Sequence, residues 1–252
     1  VIHAAALKQI DTAEYNPFEV IKTNIIGAQN IIDASIANNV KKVLALSTDK
    51  AASPVNLYGA TKLVSDKLFS SANNYVGKNK TIFSIVRYGN VSSSRGSVIP
   101  YFKKLIDQNK PITLTDKEMT RFWITLDESV EFVLHCLANM VGGEIFVPKL
   151  PSIKIIDLII AMKKNAKIKI IGLRPGEKIY EIMCPRDESH NTIEFKKYYI
   201  IKPSIKFYTS NRNYNYNLKG EKGKNVNKNF EYNSKNNESF LSINKIKKYL
   251  KK

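Results

Sequence analysis

Three short, largely apolar runs constrain this chain most: VIHAAAL at 1–7, KVLALS at 42–47 and TIFSIVRY at 81–88. A strand with one wet face alternates apolar and polar residues, so runs this apolar belong to strands covered on both faces. Between the first two runs, Asn16-Pro17 opens a helix, with Asn as the cap and Pro at the first helical position. Val20, Ile21, Asn24, Ile25, Ala28, Ile31, Ile32 and Ile36 then recur at helical spacing until Asn38-Asn39 stops them. A second helical stretch, 58–75, joins the second run to the third. Strand, helix, strand, helix, strand of this kind is the α/β pattern of a doubly wound parallel sheet, Rossmann-like, with ligands at the carboxyl ends of the strands. The first run closes on Ala4 and Ala5, whose small side chains leave the backbone open to close approach.

Beyond residue 97 the elements shorten: helix 98–108, strand 112–114, helix 127–140, strand 144–147, helix 153–164 and strand 167–171. The chain therefore divides into a doubly wound part over 1–97, a smaller α+β lobe over 98–203, and an Asn/Lys-rich extension over 204–252 that is expected to be partly irregular. Phe207, Tyr208, Phe230, Tyr232 and Phe240 imply that the extension still docks.

With 252 residues and 43% hydrophobic content, the chain can bury a sizeable core, which excludes disorder throughout. A net charge of +18 would ordinarily raise nucleic acid or an anionic membrane as a partner. Here Lys and Asn are enriched together along the chain, most heavily past residue 205, rather than in one patch. The expectation is no nucleic acid and no membrane partner, but a general preference for anionic ligands. No run of about 18 apolar residues occurs and the start is unlike a signal peptide, so the protein reads as soluble and cytoplasmic. Cys136 and Cys184, each in a helical-looking stretch without a second ligand at metal spacing, read as reduced structural thiols, with no metal site.

Two clusters carry chemistry. Tyr58-Gly59-Ala60-Thr61-Lys62 places a tyrosine and a lysine four apart, hence on one helix face. A phenol ionises near pH ~10, so a tyrosine acts as a base near neutrality only where a positive charge favours the phenolate, and Lys62 is placed to supply it. Ser47-Thr48-Asp49-Lys50 stands at the end of the preceding strand, where an α/β sheet presents groups to its ligand.

With these clusters, HAAALK, VRYGNVSSSRGSVIP, MTRFWIT and GLRPGEK complete a set that resembles the inverting UDP-N-acetylglucosamine 4,6-dehydratases, extended short-chain dehydrogenases/reductases that open pseudaminic acid synthesis in bacteria that glycosylate flagellin. The resemblance runs to about Lys202. Asp-Lys after Ser-Thr is its most specific part, because the similar retaining enzymes carry Asp-Glu there. The resemblance implies that Tyr58, assisted by Lys62, takes the C4 hydroxyl proton and that Thr48 bonds the same oxygen as the ketone forms. It gives Lys50 as the base at C5 and Asp49 as the acid for the departing C6 hydroxyl, with C5 reprotonated on the opposite face. The cofactor implied is NADP, with NAD possible, contacted by Tyr58, Lys62, Val91, Ala4 and Ala5. Lys8, Asn90, Arg95, Arg174 and Glu177 are implied to line the site of the UDP-sugar, whose phosphates suit arginine. A closed homo-oligomer is also implied.

Such proteins begin with a strand and a GxGxxG turn that cradles the cofactor pyrophosphate. Gly27, Gly59, Gly77, Gly89 and Gly96 are isolated and give no such spacing. The resulting expectation is a truncated chain: a fragment, a split or decayed gene, or one completed in trans.

Overall fold

The structure, a computed structural model, describes residues 1–77, 80–92, 98–205 and 212–250. Two compact units are each assembled from separated segments: Val1–Tyr88, Glu131–Lys149 and Ile182–Glu231 form one, and Gly89–Val130, Leu150–Glu181 and Tyr232–Lys252 the other. The division expected at 97 and 203 follows chain order; these units interleave along it.

The first unit carries a seven-stranded sheet. Strands β1 (Ile2–His3), β2 (Lys42–Thr48) and β3 (Ile82–Tyr88) run parallel in that order, followed by Ile145–Pro148. Tyr198–Ile201, Thr192–Glu194 and Lys224–Asn225 extend the sheet with antiparallel pairings. The register sets Ser47 against Arg87 and Thr48 against Tyr88. Helices α1 (Ile10–Tyr15), α2 (Pro17–Ile21) and α3 (Gly27–Ala37) connect β1 to β2, and α4 (Leu57–Ala72) connects β2 to β3.

Both faces of the sheet are covered, as the two-faced apolar pattern requires. On one, Phe69 of α4 meets Phe83 of β3 with ring centroids 6.2 Å apart. On the other, Leu44 and Val86 pack with Val133, Cys136 and Met140. Burying such a side chain fully is worth about 1.5–3 kcal/mol, so these pairs anchor the strand order.

Two local readings change. Asn16 makes no side-chain capping bond; its backbone N–H instead closes α1 on the Thr12 carbonyl, because α2 follows with no spacer. Cys184 lies in a strand, Ile182–Cys184, rather than a helix. Both cysteines are buried free thiols, and burial pushes each up, well away from a reactive thiolate.

The second unit has a three-stranded sheet of Asn90–Val91, Thr120–Ile124 and Ser152–Lys154, and a parallel pair of Ile112–Leu114 with Ile168–Ile170. The helix Ile243–Leu250 buries Ile246 in a core with Leu158 and Trp123. The tail is more regular than its composition suggests. Tyr232 donates to the Leu150 carbonyl and accepts from its N–H, and the Asn237 amide donates to Leu150 and Ser152. Of the aromatics expected to dock it, Tyr232 packs on Phe122 and Phe230 on Tyr199, with ring centroids 4.8 and 5.2 Å apart, while Phe207 and Tyr208 lie outside the described residues.

Candidate active site

The site grows from the end of β2. Its apolar residues hold the strand in the sheet, and Thr48 then leaves it in extended conformation and caps a short 3-10 turn, Asp49–Ala51, by accepting from the Lys50 N–H. Asp49 is fully buried. Its Oδ1 accepts from the Thr48 hydroxyl at 3.0 Å and from the Lys50 ammonium at 3.1 Å. Its Oδ2 is buried and has no partner among the described residues. A carboxylate removed from water this completely needs its cation, and Lys50 supplies it while remaining one-fifth exposed.

Helix α4 begins beside this turn. Asn56 caps it, accepting from the Gly59 N–H at 2.8 Å. Glycine is required at 59, since a Cβ there would overlap the Lys50 carbonyl oxygen and crowd Pro54. This close approach brings Tyr58 to the turn. Burial pushes its phenol up; Lys50 and the neighbouring Thr48 hydroxyl pull it down, Asp49 and Asp66 oppose them, and the net direction is up. Lys50 is thus a cation that lowers the phenol, beside the Lys62 that the helical spacing places on the same helix face. Lys62 donates to the Leu46 carbonyl at 2.8 Å, and burial lowers its ammonium against the opposing charge of Asp66.

Asp66, Arg87, Asn24 and His3, which the sequence did not single out for chemistry, support this arrangement together with Ser47. Ser47 donates to Asp66 at 2.8 Å, and Arg87 pairs with the same carboxylate oxygen at 3.2 Å. Asn24 clamps the loop after β1, accepting from the Leu7 N–H and donating to the Leu7 carbonyl and the Thr61 hydroxyl. It sits in a π-helical turn, Lys22–Ile26, whose extra residue carries the amide inward. A polar residue among apolar ones at helical spacing was the only signal of it. His3 is buried against Phe69, and burial with the Lys62 charge holds its imidazole low.

Thr48, Asp49, Lys50, Tyr58 and Lys62 therefore come together, while Ala4, Ala5 and Lys8 are exposed just past β1 in the same unit. Asn90, Val91, Arg174 and Glu177 belong to the second unit, and Arg95 lies outside the described residues. Asn90 and Val91 pair with Trp123 and Ile124. Arg174 is exposed; the Glu177 carboxylate accepts from Thr115 at 2.8 Å, and its N–H donates to the Arg174 carbonyl. Trp123 is core, as an aromatic between Phe122 and Ile124 should be. Among the described residues no cluster has metal-ligand composition, and no helix is long and apolar enough to cross a membrane.

Residues 1–203 match the polysaccharide biosynthesis protein family. The chain is 58% identical to the UDP-N-acetylglucosamine 4,6-dehydratase (inverting) of Campylobacter jejuni over 96% of its own length and 73% of that protein. Among solved structures, Pen from Bacillus thuringiensis is 39% identical, with a TM-score of 0.86 over 99% of this chain and 73% of the other. A dTDP-glucose 4,6-dehydratase from Streptomyces venezuelae with NAD and TYD bound, 20% identical, shares the fold at a TM-score of 0.63 over 71% and 62% of the two chains.

Proposed function

The chain belongs to the polysaccharide biosynthesis protein family, and from that membership we propose that it is an inverting UDP-N-acetylglucosamine 4,6-dehydratase, a lyase that yields UDP-2-acetamido-2,6-dideoxy-β-L-arabino-hexos-4-ulose. The observation that carries this reading is the contact between Asp49 and Lys50 at the end of β2, directly beside Tyr58. An elimination across C5 and C6 needs an acid and a base on one substrate, and adjacent residues on a rigid strand end supply both. An epimerase has no use for that pair.

The residues fit a nicotinamide dinucleotide: Ala4 and Ala5 expose a one-carbon surface at the strand end, and the buried Lys62 ammonium stands below Tyr58 on the same helix. Such a cofactor supplies hydride acceptance at C4 and hydride return at C6. NADP is the form we propose, following the family resemblance.

Tyr58 takes the C4 hydroxyl proton, and Thr48, whose hydroxyl donates to Asp49 Oδ1 in the free site, turns it to the oxygen of the forming ketone. The ketone acidifies C5. Lys50 removes that proton once it has released its own, and the partnerless Oδ2 of Asp49 is the atom that delivers a proton to the C6 hydroxyl. Delivery of a proton to the opposite face of C5 then gives inversion. Lys8, Asn90, Arg95, Arg174 and Glu177 are our proposed contacts to the sugar nucleotide, on the strength of the resemblance and the affinity of arginine and lysine for phosphates.

The test is to incubate the whole protein with UDP-N-acetylglucosamine and NADP in deuterated water. The expected product has lost one water, carries deuterium at C5 and is inverted there by NMR. A product isomeric with the substrate would instead identify an epimerase, and retention at C5 a retaining dehydratase.

A further inference from the structure

Lys62, a proposed cofactor contact, belongs to a polar chain that links the end of β2 to α4. Lys62 donates to the carbonyl of Leu46 at 2.8 Å, and the next residue, Ser47, donates to Asp66 Oδ2 at 2.8 Å. Asp66 stands one turn beyond Lys62 on α4. Arg87, opposite Ser47 in the parallel register, reaches the same Oδ2 at 3.2 Å and continues to the Met183 carbonyl and Glu188. Lys62, Asp66 and Arg87 are each at most 3% exposed.

We infer that Asp66 is a positioning residue: its carboxylate ties the last residues of β2 to α4 and holds the Lys62 ammonium on the Leu46 carbonyl, so that the Thr48–Asp49 turn and the Tyr58 turn keep one spacing. The inference rests on the dehydratase reading for its catalytic consequence. Its physical part stands on the polar chain alone.

A cation this buried is unstable without a compensating charge. Burial pulls Lys62 down, and Asp66 is the charge that opposes it. Burial pushes Asp66 up, while Arg87, Lys62 and Ser47 pull it back. Arg87 itself is pulled down by burial and raised further by Asp66 and Glu188, with the net direction up, so it is the cation set against Asp66, whose own net direction is also up. The titratable groups facing Lys62 are His3 from β1 and Asp66 from its own helix. Those facing Asp66 are Arg87 from β3, and Lys62 and Tyr58 from α4.

The experiment has two arms. In protein labelled with 13C at lysine Cε, Lys62 is assigned by its absence in Lys62→Arg and titrated by NMR in wild type and Asp66→Asn. With the carboxylate gone, Lys62 should deprotonate at lower pH. In the second arm, Ser47→Ala removes one hydrogen bond and leaves every charge in place. It should leave the Lys62 titration where it was and lower kcat for UDP-N-acetylglucosamine roughly 10-fold with KM unchanged, the mark of lost positioning. Lys62 titrating at the wild-type pH in Asp66→Asn overturns the inference, as does wild-type kcat in Ser47→Ala. Should Asp66→Asn fail to fold, Ser47→Ala decides. The titration needs no substrate, so absence of turnover in the wild type sinks the functional reading and leaves the first arm to judge the polar chain.

Discussion

The Lys50 ammonium lies 3.1 Å from Asp49 Oδ1, so the proposed base and the proposed acid of one elimination are in contact before any substrate arrives. The elimination requires Lys50 to be neutral to accept a proton and Asp49 to be protonated to give one. A single proton passed from Lys50 to Asp49 prepares both. Lys50→Ala should therefore abolish the elimination while oxidation at C4 persists, slowed by loss of a cation that lowers the Tyr58 phenol. Turnover should fall roughly 10²–10⁴-fold, the usual contribution of a general base, and reduced cofactor should accumulate in single-turnover absorbance traces. Near-normal turnover with deuterium still entering C5 would reduce Lys50 to a loop charge.

Tyr58→Phe should fail one step earlier. No reduced cofactor should form and no deuterium should reach C5, because oxidation at C4 precedes acidity at C5. The wild-type phenol is held above its ordinary value by burial, so its base form is scarce at neutrality. The rate of C4 oxidation should accordingly climb with pH across the neutral and mildly alkaline range, measured by rapid-mixing absorbance. A flat profile would show that Tyr58 is not the base.

Gly59→Ala tests the close approach of α4 to the Lys50 turn. The added methyl would meet the Lys50 carbonyl oxygen, which belongs to backbone and cannot swing aside. Destabilisation of about 1–3 kcal/mol is expected by denaturant unfolding. Deuterium exchange at C5 should slow more than C4 oxidation, since Lys50 moves and Tyr58 stays on its helix. Equal slowing of both steps would mean that the helix itself has shifted.

Glu144 offers a stability test remote from the chemistry. It is fully buried, its Oε1 accepts from the Val141 N–H at 2.6 Å, and burial pushes its carboxyl up despite that bond. A carboxyl whose folded value exceeds its unfolded value binds more protons when folded. Its contribution is therefore fully present below the unfolded value, about 4.3, and is lost as pH rises through the raised folded value. Glu144→Gln should flatten the fall in stability across that window and raise stability at neutral pH, read by urea midpoints at several pH values. An unchanged pH slope would show that Glu144 is ionised in the fold.

Much of the framework was readable because it is written at short range. Apolar runs marked β2 and β3, and four-residue spacing put Tyr58 and Lys62 on one helix. The contact between Asp49 and Lys50 joins adjacent residues in one tight turn. Thr120–Ile124 was not read as a strand because its polar first residues bond to side chains and loops of the second unit, which no local pattern encodes. In the tail, the excess of Asn looked like compositional drift. Asn217 instead organises a turn, accepting from Lys219 and Glu221 N–H groups and donating to Tyr198. A short amide that substitutes for backbone partners leaves no periodic trace.

The sequence by itself determined the alternation of covered strands and helices, the helix face shared by Tyr58 and Lys62, and the turn that carries Thr48, Asp49 and Lys50, because each depends on residues within one turn or one strand. Only the tertiary structure decided that the Lys50 turn comes up against Tyr58 and what supports Lys62. Ser47 and Arg87 reach Asp66 from 19 and 21 residues away, and they meet only because parallel register sets Ser47 beside Arg87 under the face of α4. Burial then fixes the charges that result, since a cation sealed from water persists only where a carboxylate has been sealed in with it.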